Sequence, residues 1–294
     1  MRVAFLGTPE AALPTLRALV REGHDVALVV TRADRRRGRG RELSASPVKA
    51  LAQSIGLTVS HRLSDVLEAS VELGVVVAYG ALVPAPVLAQ VPMVNVHFSL
   101  LPRWRGAAPV ERAILAGDRE TGVSVMTMEE GLDTGPVHLE RRVVIGDRDA
   151  AELREELAHL GAEALVEVLG TSSLLGNARP QEGDALYAHK LTRADRQLTP
   201  NESAELFVRR CRIGGAELRV LERRLVIERA AVAATTLHGG VVHFDGRDVV
   251  AGCHDGSVRW EIVRPEGGAS IPAPAWWRGR MREARDTTWS STNS

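Results

Sequence analysis

The chain is short of several things, and each shortage narrows what it can be. Cysteine is nearly missing: 294 residues hold only Cys211 and Cys253, neither in a CxxC pair. That argues against a disulfide framework or a cysteine zinc site and suits a reducing compartment. Net charge is also missing, because 37 Lys and Arg balance 37 Asp and Glu. A whole-protein basic field is therefore excluded, and any nucleic-acid contact must come from a local patch. No hydrophobic run approaches the roughly 20 residues of a membrane helix. The apolar stretch after Met1-Arg2, Val3 to Leu6, is too short for a secretory h-region. A cytoplasmic protein with no membrane association is expected. The glycine fingerprint of dinucleotide sites is lacking too, since Gly7-Thr8-Pro9 supplies one glycine where three are needed. Apart from His97, the histidines are scattered without metal-site spacing, so no metal is expected. No internal repeat is visible.

What is present reads as an α/β protein with a second domain. Arg2 to Leu6 is a short apolar strand, Ala11 to Arg21 a helix stopped by Gly23, and Val26 to Val30 a second strand. Strand, helix and strand within about thirty residues make a βαβ unit and hence a parallel, Rossmann-like sheet. Gly74 to Ala78 is a continuous apolar run, as for a central parallel strand buried on both faces, and it ends in Tyr79-Gly80. A short helix over Ala85 to Gln90 leads to an apolar run, Val91 to Val94, that reads as the end of another buried strand. A helix from Pro109 to Ala116, strands over Thr121 to Met128 and Pro136 to Ile145, and a long helix over Ala151 to Leu169 follow. Residues 171 to 204 lose this periodicity and read as linker, apart from Tyr187 to Leu191. Beyond them come one helix (Ser203 to Cys211) and short alternating runs at Glu217–Leu221, Leu225–Ile227, Gly240–Phe244, Val249–Ala251 and Ser257–Val263, which predict a small β-barrel or sandwich. Trp276-Trp277 reads as packing. The expected division is a catalytic domain over residues 1–186, a linker over 187–204 and a C-terminal domain over 205–294.

Charge is concentrated in one place. Arg32 to Arg41 holds six arginines in ten residues with Gly38 and Gly40, followed by Ser46-Pro47-Val48-Lys49, a helix start with serine as N-cap and proline at N1. This is either a solvated surface loop or a contact for a phosphate backbone; Arg35, Arg36, Arg37, Arg39 and Arg41 are the candidates for the second reading.

Asn95 and His97 stand two apart on extended backbone, so both point to one face where the strand ends. In an open α/β sheet that is where ligands sit. Asp133, in Gly131-Leu132-Asp133-Thr134-Gly135, lies on a glycine-flanked turn. An amide, an imidazole and a carboxylate suffice for acyl transfer to an amine, because a neutral amine is already a nucleophile. The reaction needs a donor to the oxyanion and a route for the proton leaving the attacking nitrogen. Asparagine donates; histidine donates when charged or accepts when neutral; a carboxylate would orient the imidazole and help pass the proton. Read singly, each has a structural alternative: a hydrogen-bonding histidine at a strand end, a turn-capping asparagine, an Asx-turn aspartate.

The run Asn95-Val96-His97-Phe98-Ser99-Leu100-Leu101-Pro102-Arg103-Trp104-Arg105-Gly106-Ala107-Ala108-Pro109 resembles the signature of the folate-dependent formyltransferases. Gly7-Thr8-Pro9-Glu10, the Gly38-Arg39-Gly40 loop with Ser46 to Lys49, Val75 to Gly80, and Gly131 to Gly135 are similar to further segments of that family, in its order. The resemblance runs from Met1 to about Leu169, with Tyr187 to Leu191 also fitting. It implies a Rossmann-like formyltransferase domain followed by an OB-like barrel; a monomer is expected. It implies 10-formyltetrahydrofolate as donor and, through the arginine loop, initiator methionyl-tRNA as acceptor, for translation initiation. By position, Asn95, His97 and Asp133 match the family's catalytic trio. Val77, Ala78 and Tyr79, with Ser99, Leu100, Leu101 and Pro102, match its folate-binding segments, and Arg32 to Arg41 matches the loop at the tRNA acceptor end. Departures are Ala11, where many members carry an aromatic residue, Glu111 in place of a common glutamine, and a weakly matched C-terminal part. The rival readings are a formyltransferase for a nucleotide sugar or other small amine, and a catalytically silent RNA-binding module.

Overall fold

The computed structural model describes residues 1–37, 42–171, 175–281 and 285–292. They form two compact units. The first comprises Met1–Arg112, Arg119–Gly146 and Glu152–Lys190, and the second Ala113–Asp118, Asp147–Ala151 and Leu191–Ser294.

The first unit is built on a seven-stranded sheet. Its strands are β1 (Arg2–Gly7), β2 (Asp25–Val30), β5 (Val59–Ser60), β6 (Leu73–Val77), β7 (Met93–His97), β9 (Glu120–Thr127) and β10 (Val137–Val144). A two-stranded ribbon intervenes, β3 (Arg35–Arg37) against β4 (Glu42–Ser44), and β8 (Arg105–Gly106) is a short bridge. The sheet order is β10-β9-β7-β6-β1-β2-β5. The five strands from β7 to β5 run parallel, as the βαβ pattern predicts, whereas β9 is antiparallel to β7 and β10 to β9. The central strands β1 and β6 are apolar and buried on both faces.

Helices α1 (Leu13–Arg21), α2 (Pro47–Ser54), α3 (Asp65–Glu68), α4 (Ala85–Leu88), α5 (Pro109–Ala116) and α6 (Ala150–Gly170) connect or follow these strands. Ser46 caps α2 as expected, accepting from the Lys49 N–H at 3.0 Å. On α6, Leu153, Leu157, Leu165 and Val168 are buried. At Gly161 the helix comes so close to β7 that a Cβ there would lie 2.5 Å from Val96 Cγ1. That glycine sets how the helix seats on the strand carrying Asn95 and His97.

The topology places a switch point between β1 and β6. From β1 the chain winds through β2 to β5 on one side, then returns to β6 and β7 on the other, which leaves a crevice outside the carboxyl ends of these strands. Thr8 ties the crevice together: its Oγ1 donates to the Tyr79 carbonyl at 2.9 Å and accepts the Arg32 N–H at 3.4 Å.

Residues 171 to 190, read as linker from the sequence, are partly built into the first unit. β11 (Tyr187–Ala188) pairs with β8 in parallel, and the Ala107 N–H donates to the Ala188 carbonyl at 2.8 Å.

The second unit is a barrel rather than a sandwich. Its strands are β12 (Glu217–Val220), β13 (Arg223–Ala233), β14 (Val241–Phe244), β15 (Val249–Gly252), β16 (Ser257–Pro265), β17 (Ile271–Pro272) and β18 (Asp286–Ser290). The order β13-β12-β18-β14-β15-β16 closes through a β13–β16 pairing into six strands. Helices α7 (Ala204–Arg212) and α8 (Ala273–Met281) complete it. Phe207, Trp260, Trp276, Trp277 and Trp289 share its core, so the tryptophan pair does pack. Cys211 and Cys253 are both buried there as free thiols. Burial pushes the Cys211 thiol well up and that of Cys253 to about 12, which leaves neither as a ready thiolate.

Candidate active site at the end of strand β7

Asn95 and His97 leave β7 on one face, and both reach the same carboxylate. Asn95 Nδ2 donates to Asp133 Oδ1 at 3.4 Å, and His97 Nδ1 lies 3.6 Å from Asp133 Oδ2. His97 is only 6% exposed, and the Asp133 side chain 12%. A charge that develops on this pair is therefore screened weakly by water. The three sequence-predicted polar groups are thus within reach of one another.

The imidazole is fixed at its other nitrogen. His97 Nε2 sits 2.8 Å from the Trp104 carbonyl oxygen, which only accepts, so this nitrogen carries a proton. In the neutral ring Nδ1 is then the lone pair, and it is the nitrogen that faces Asp133. The hydrogen bond that sets the ring therefore comes from a backbone carbonyl, with the carboxylate standing just beyond hydrogen-bond range of Nδ1.

Asp133 is held from several directions. Its backbone is left-handed (φ 52°), an uncommon conformation for a residue with a side chain. The Gly106 N–H donates to Oδ2 at 2.7 Å. Gly106 itself has φ +118°, and a Cβ there would lie 3.0 Å from the Ala188 carbonyl oxygen. So the amide reaches the carboxylate because residue 106 has no side chain. The Asp133 carbonyl accepts from Gln181 Nε2 at 2.8 Å, and the Gly135 carbonyl accepts from the same nitrogen at 2.8 Å. Gln181 Oε1 accepts from Arg105 Nε at 3.0 Å and from its terminal nitrogen at 2.6 Å.

The segment Ser99 to Pro102 forms a pinned turn beside the trio. Ser124, fully buried on β9, donates from Oγ to the Ser99 carbonyl at 2.8 Å and accepts the Leu101 N–H at 3.2 Å. Ser99 Oγ donates to the Arg103 carbonyl at 2.6 Å. The Leu101–Pro102 peptide is cis.

Val77 ends β6, followed by Ala78 and Tyr79; Val76 of β6 is in register with Asn95 on β7. Ala78 has φ 46°. Ala78 and Tyr79 line a cleft of about 220 Å³ together with Thr8, Pro9, Arg32, Ala33, Ser44, Ser46 and Gly80, at the switch point. Val77 is fully buried and is not on that lining. Burial raises the Tyr79 phenol above its ordinary value, and the nearby Arg32 charge partly opposes this.

The arginine segment begins at this cleft. Arg35 to Arg37 form β3 of the ribbon; Arg39 and Arg41 lie outside the described residues. The root of the ribbon is anchored by the Ser46-to-Lys49 segment: Lys49 Nζ meets Asp34 Oδ2 at 2.7 Å, and Ser46 Oγ meets Thr31 Oγ1 at 2.8 Å. Glu111, one of the departures, pairs with Arg154 of α6.

Sequence reasoning missed Trp104 as the histidine's partner, Gly106 and Gln181 as partners of Asp133 and its turn, and Ser124. Trp104 and Gly106 stand inside the Asn95-to-Pro109 run, but their backbone roles carry no residue-type signal. Gln181 stands in an aperiodic stretch and had none.

An open, mostly parallel sheet with an amide, imidazole and carboxylate converging at one strand end defines a class, and comparison with known proteins agrees. Residues 1–169 match the family model described as formyl transferase, and the chain belongs to this family of enzymes. Its full-length relatives place it among the methionyl-tRNA formyltransferases. It is 44% identical over 299 residues to the methionyl-tRNA formyltransferase of Clavibacter sepedonicus, covering 95% of this chain and 97% of that protein. It is 41% identical over 308 residues to that of Heliobacterium modesticaldum, again covering 95% and 97%. Among solved structures, an N-formyltransferase from Helicobacter canadensis in complex with folinic acid and dTDP-3-aminofucose superposes with a TM-score of 0.68 over 88% of this chain and 98% of that one; at 13% identity it speaks for the fold alone.

Proposed function

We propose that the chain transfers the formyl group of 10-formyltetrahydrofolate to the α-amine of initiator methionyl-tRNA, for translation initiation. The observation that carries the reading is the meeting of Asn95, His97 and Asp133 at the end of β7, in a chain 40–44% identical along its length to methionyl-tRNA formyltransferases.

In this reading the folate lies against Ala78 and Tyr79, just past the end of β6, and against the Ser99-to-Pro102 turn. The tRNA acceptor end enters beside the arginine ribbon, whose root, with Arg32, borders the cleft at Ala78 and Tyr79. The α-amine, whose ordinary pKa is near 8, attacks the formyl carbon in its neutral form. Asn95 donates to the oxyanion that develops. As the new C–N bond forms, the attacking nitrogen passes a proton to His97 Nδ1, and the Asp133 carboxylate 3.6 Å away balances the resulting positive charge. The tetrahedral intermediate collapses by breaking the bond to the folate N10, which takes that proton. Oxyanion donors of this kind are worth about 3 kcal/mol each. Trp104 keeps Nδ1 in place by holding Nε2.

The test is to incubate the protein with 10-formyltetrahydrofolate and charged initiator tRNA and to look for formylmethionine. Formylation of a nucleotide amino sugar, with none of the tRNA, would replace this reading by the small-amine one. Absence of product with either acceptor would leave an RNA-binding module.

A further inference from the structure

Gln181 reaches out of the aperiodic 171–190 stretch to the turn that presents Asp133. Its amide has two N–H donors and two acceptor lone pairs. Both donors are used on one turn, through the carbonyls of Asp133 and Gly135, each at 2.8 Å. Both lone pairs are used on one fork, through Arg105 Nε and its terminal nitrogen at 3.0 and 2.6 Å. The orientation of the amide is therefore not arbitrary. Flipping it would set its nitrogen against a guanidinium and its oxygen against two carbonyls.

These bonds close a ring around the carboxylate. Arg105 is joined covalently to Gly106, whose N–H donates to Asp133 Oδ2. Gln181 thus fixes the backbone on one side of Asp133 and the side-chain partner on the other. The left-handed backbone at Asp133 is disfavoured when nothing imposes it. Without Gln181 the turn would relax and carry the carboxylate away from Nδ1, where a displacement of about 1 Å is worth up to a hundredfold in rate.

We infer that Gln181 is a positioning residue for formyl transfer, acting by holding the Asp133 turn and the Arg105–Gly106 segment together. The inference rests on the role given to Asp133 above.

The test compares the full-length protein with Gln181→Met, which removes all four bonds, and Gln181→Glu, which keeps the Arg105 pair and removes the donors to the turn. Both should lower kcat about 10- to 100-fold while the KM for each substrate stays within about threefold. In an Asp133→Asn background the same changes should cost less than about threefold, because the group they position has gone. Independently of turnover, hydrogen exchange at the Gly106 amide should speed up by about tenfold or more in Gln181→Met. Wild-type kcat in both variants, an equal loss with and without Asp133, or a loss confined to KM would overturn the inference. So would unchanged exchange at Gly106. If the wild-type protein forms no formyl product but the Gly106 amide exchanges faster in the variant, the functional reading fails and the holding of the turn stands.

Discussion

Replacing Asp133 by Asn tests the mechanism with the least change of shape. At 3.6 Å from His97 Nδ1, and with an effective dielectric of about 20, a unit charge on the carboxylate stabilises a charged imidazole by about 4–5 kcal/mol. This attraction acts only once the ring has taken the proton, so it belongs to the transition state and not to substrate binding. An asparagine keeps part of it as a dipole. Its two terminal atoms would also face two donors, Asn95 Nδ2 and the Gly106 N–H, and only one of those atoms is an oxygen. An amide nitrogen then faces a donor, at a cost of about 1 kcal/mol. Together these predict a fall in kcat of about 10²- to 10³-fold, or about 3–4 kcal/mol in barrier, with KM for both substrates nearly unchanged. The assay is steady-state formylation of charged initiator tRNA, with a thermal melt to show that the variant is folded. A folded Asp133→Asn protein with kcat within about fivefold of wild type would refute the role of the carboxylate.

Other consequences are checked as readily. Gly161→Ala gains about 1 kcal/mol of helix propensity but drives a methyl into Val96, and the overpacking of about 1–3 kcal/mol should lower the melting temperature; a higher one would show that α6 has slack against β7. Glu217 is buried, which alone would raise its carboxyl, but hydrogen bonds from Arg224 and Arg193 more than offset this and its pKa is lowered on folding. Its stabilisation is therefore present above the unfolded carboxylate range near pH 4.3 and is lost as pH falls through the folded value. Glu217→Gln should cost about 1–3 kcal/mol at pH 7 and progressively less as pH falls below the unfolded carboxylate range, measured by denaturant unfolding; a cost independent of pH would contradict the ion pairs. Changing Arg36, Arg37 and Arg39 to Gln should raise the KM for tRNA and flatten its dependence on salt, by up to about 0.9 for each phosphate no longer neutralised, leaving kcat at saturating tRNA nearly intact; an unchanged salt slope would remove the ribbon from the tRNA path.

Much of this was legible in the sequence because it rests on local periodicity. The period of two carried Asn95 and His97 to one face, and the apolar run at Gly74 to Ala78 marked a central strand. Strand β9 and the edge strand β10 alternate whichever way they run, so their antiparallel direction could not be read. β13 extends to eleven residues where only Leu225 to Ile227 looked like strand. Glu228 and Arg229 interrupt its apolar run, Glu228 pairing with Arg264 at 2.7 Å and Arg229 with Glu261 at 3.5 Å across to β16. The helix Ala273–Met281 and the strand Asp286–Ser290 have no period that would announce them. Around the site, the trio was visible by residue type, whereas the Trp104 carbonyl, the Gly106 amide and the Gln181 clamp act through tertiary contacts and backbone conformations that non-glycine residues do not announce.

The most direct measurement is formyl transfer itself. With 10-formyltetrahydrofolate labelled in the formyl carbon and initiator tRNA charged with methionine, the wild-type protein should place the label on the methionyl α-amine, and His97→Ala should reduce that rate by at least about a hundredfold. Transfer at the wild-type rate by His97→Ala, or label recovered on a small amine and not on the tRNA, would contradict the account.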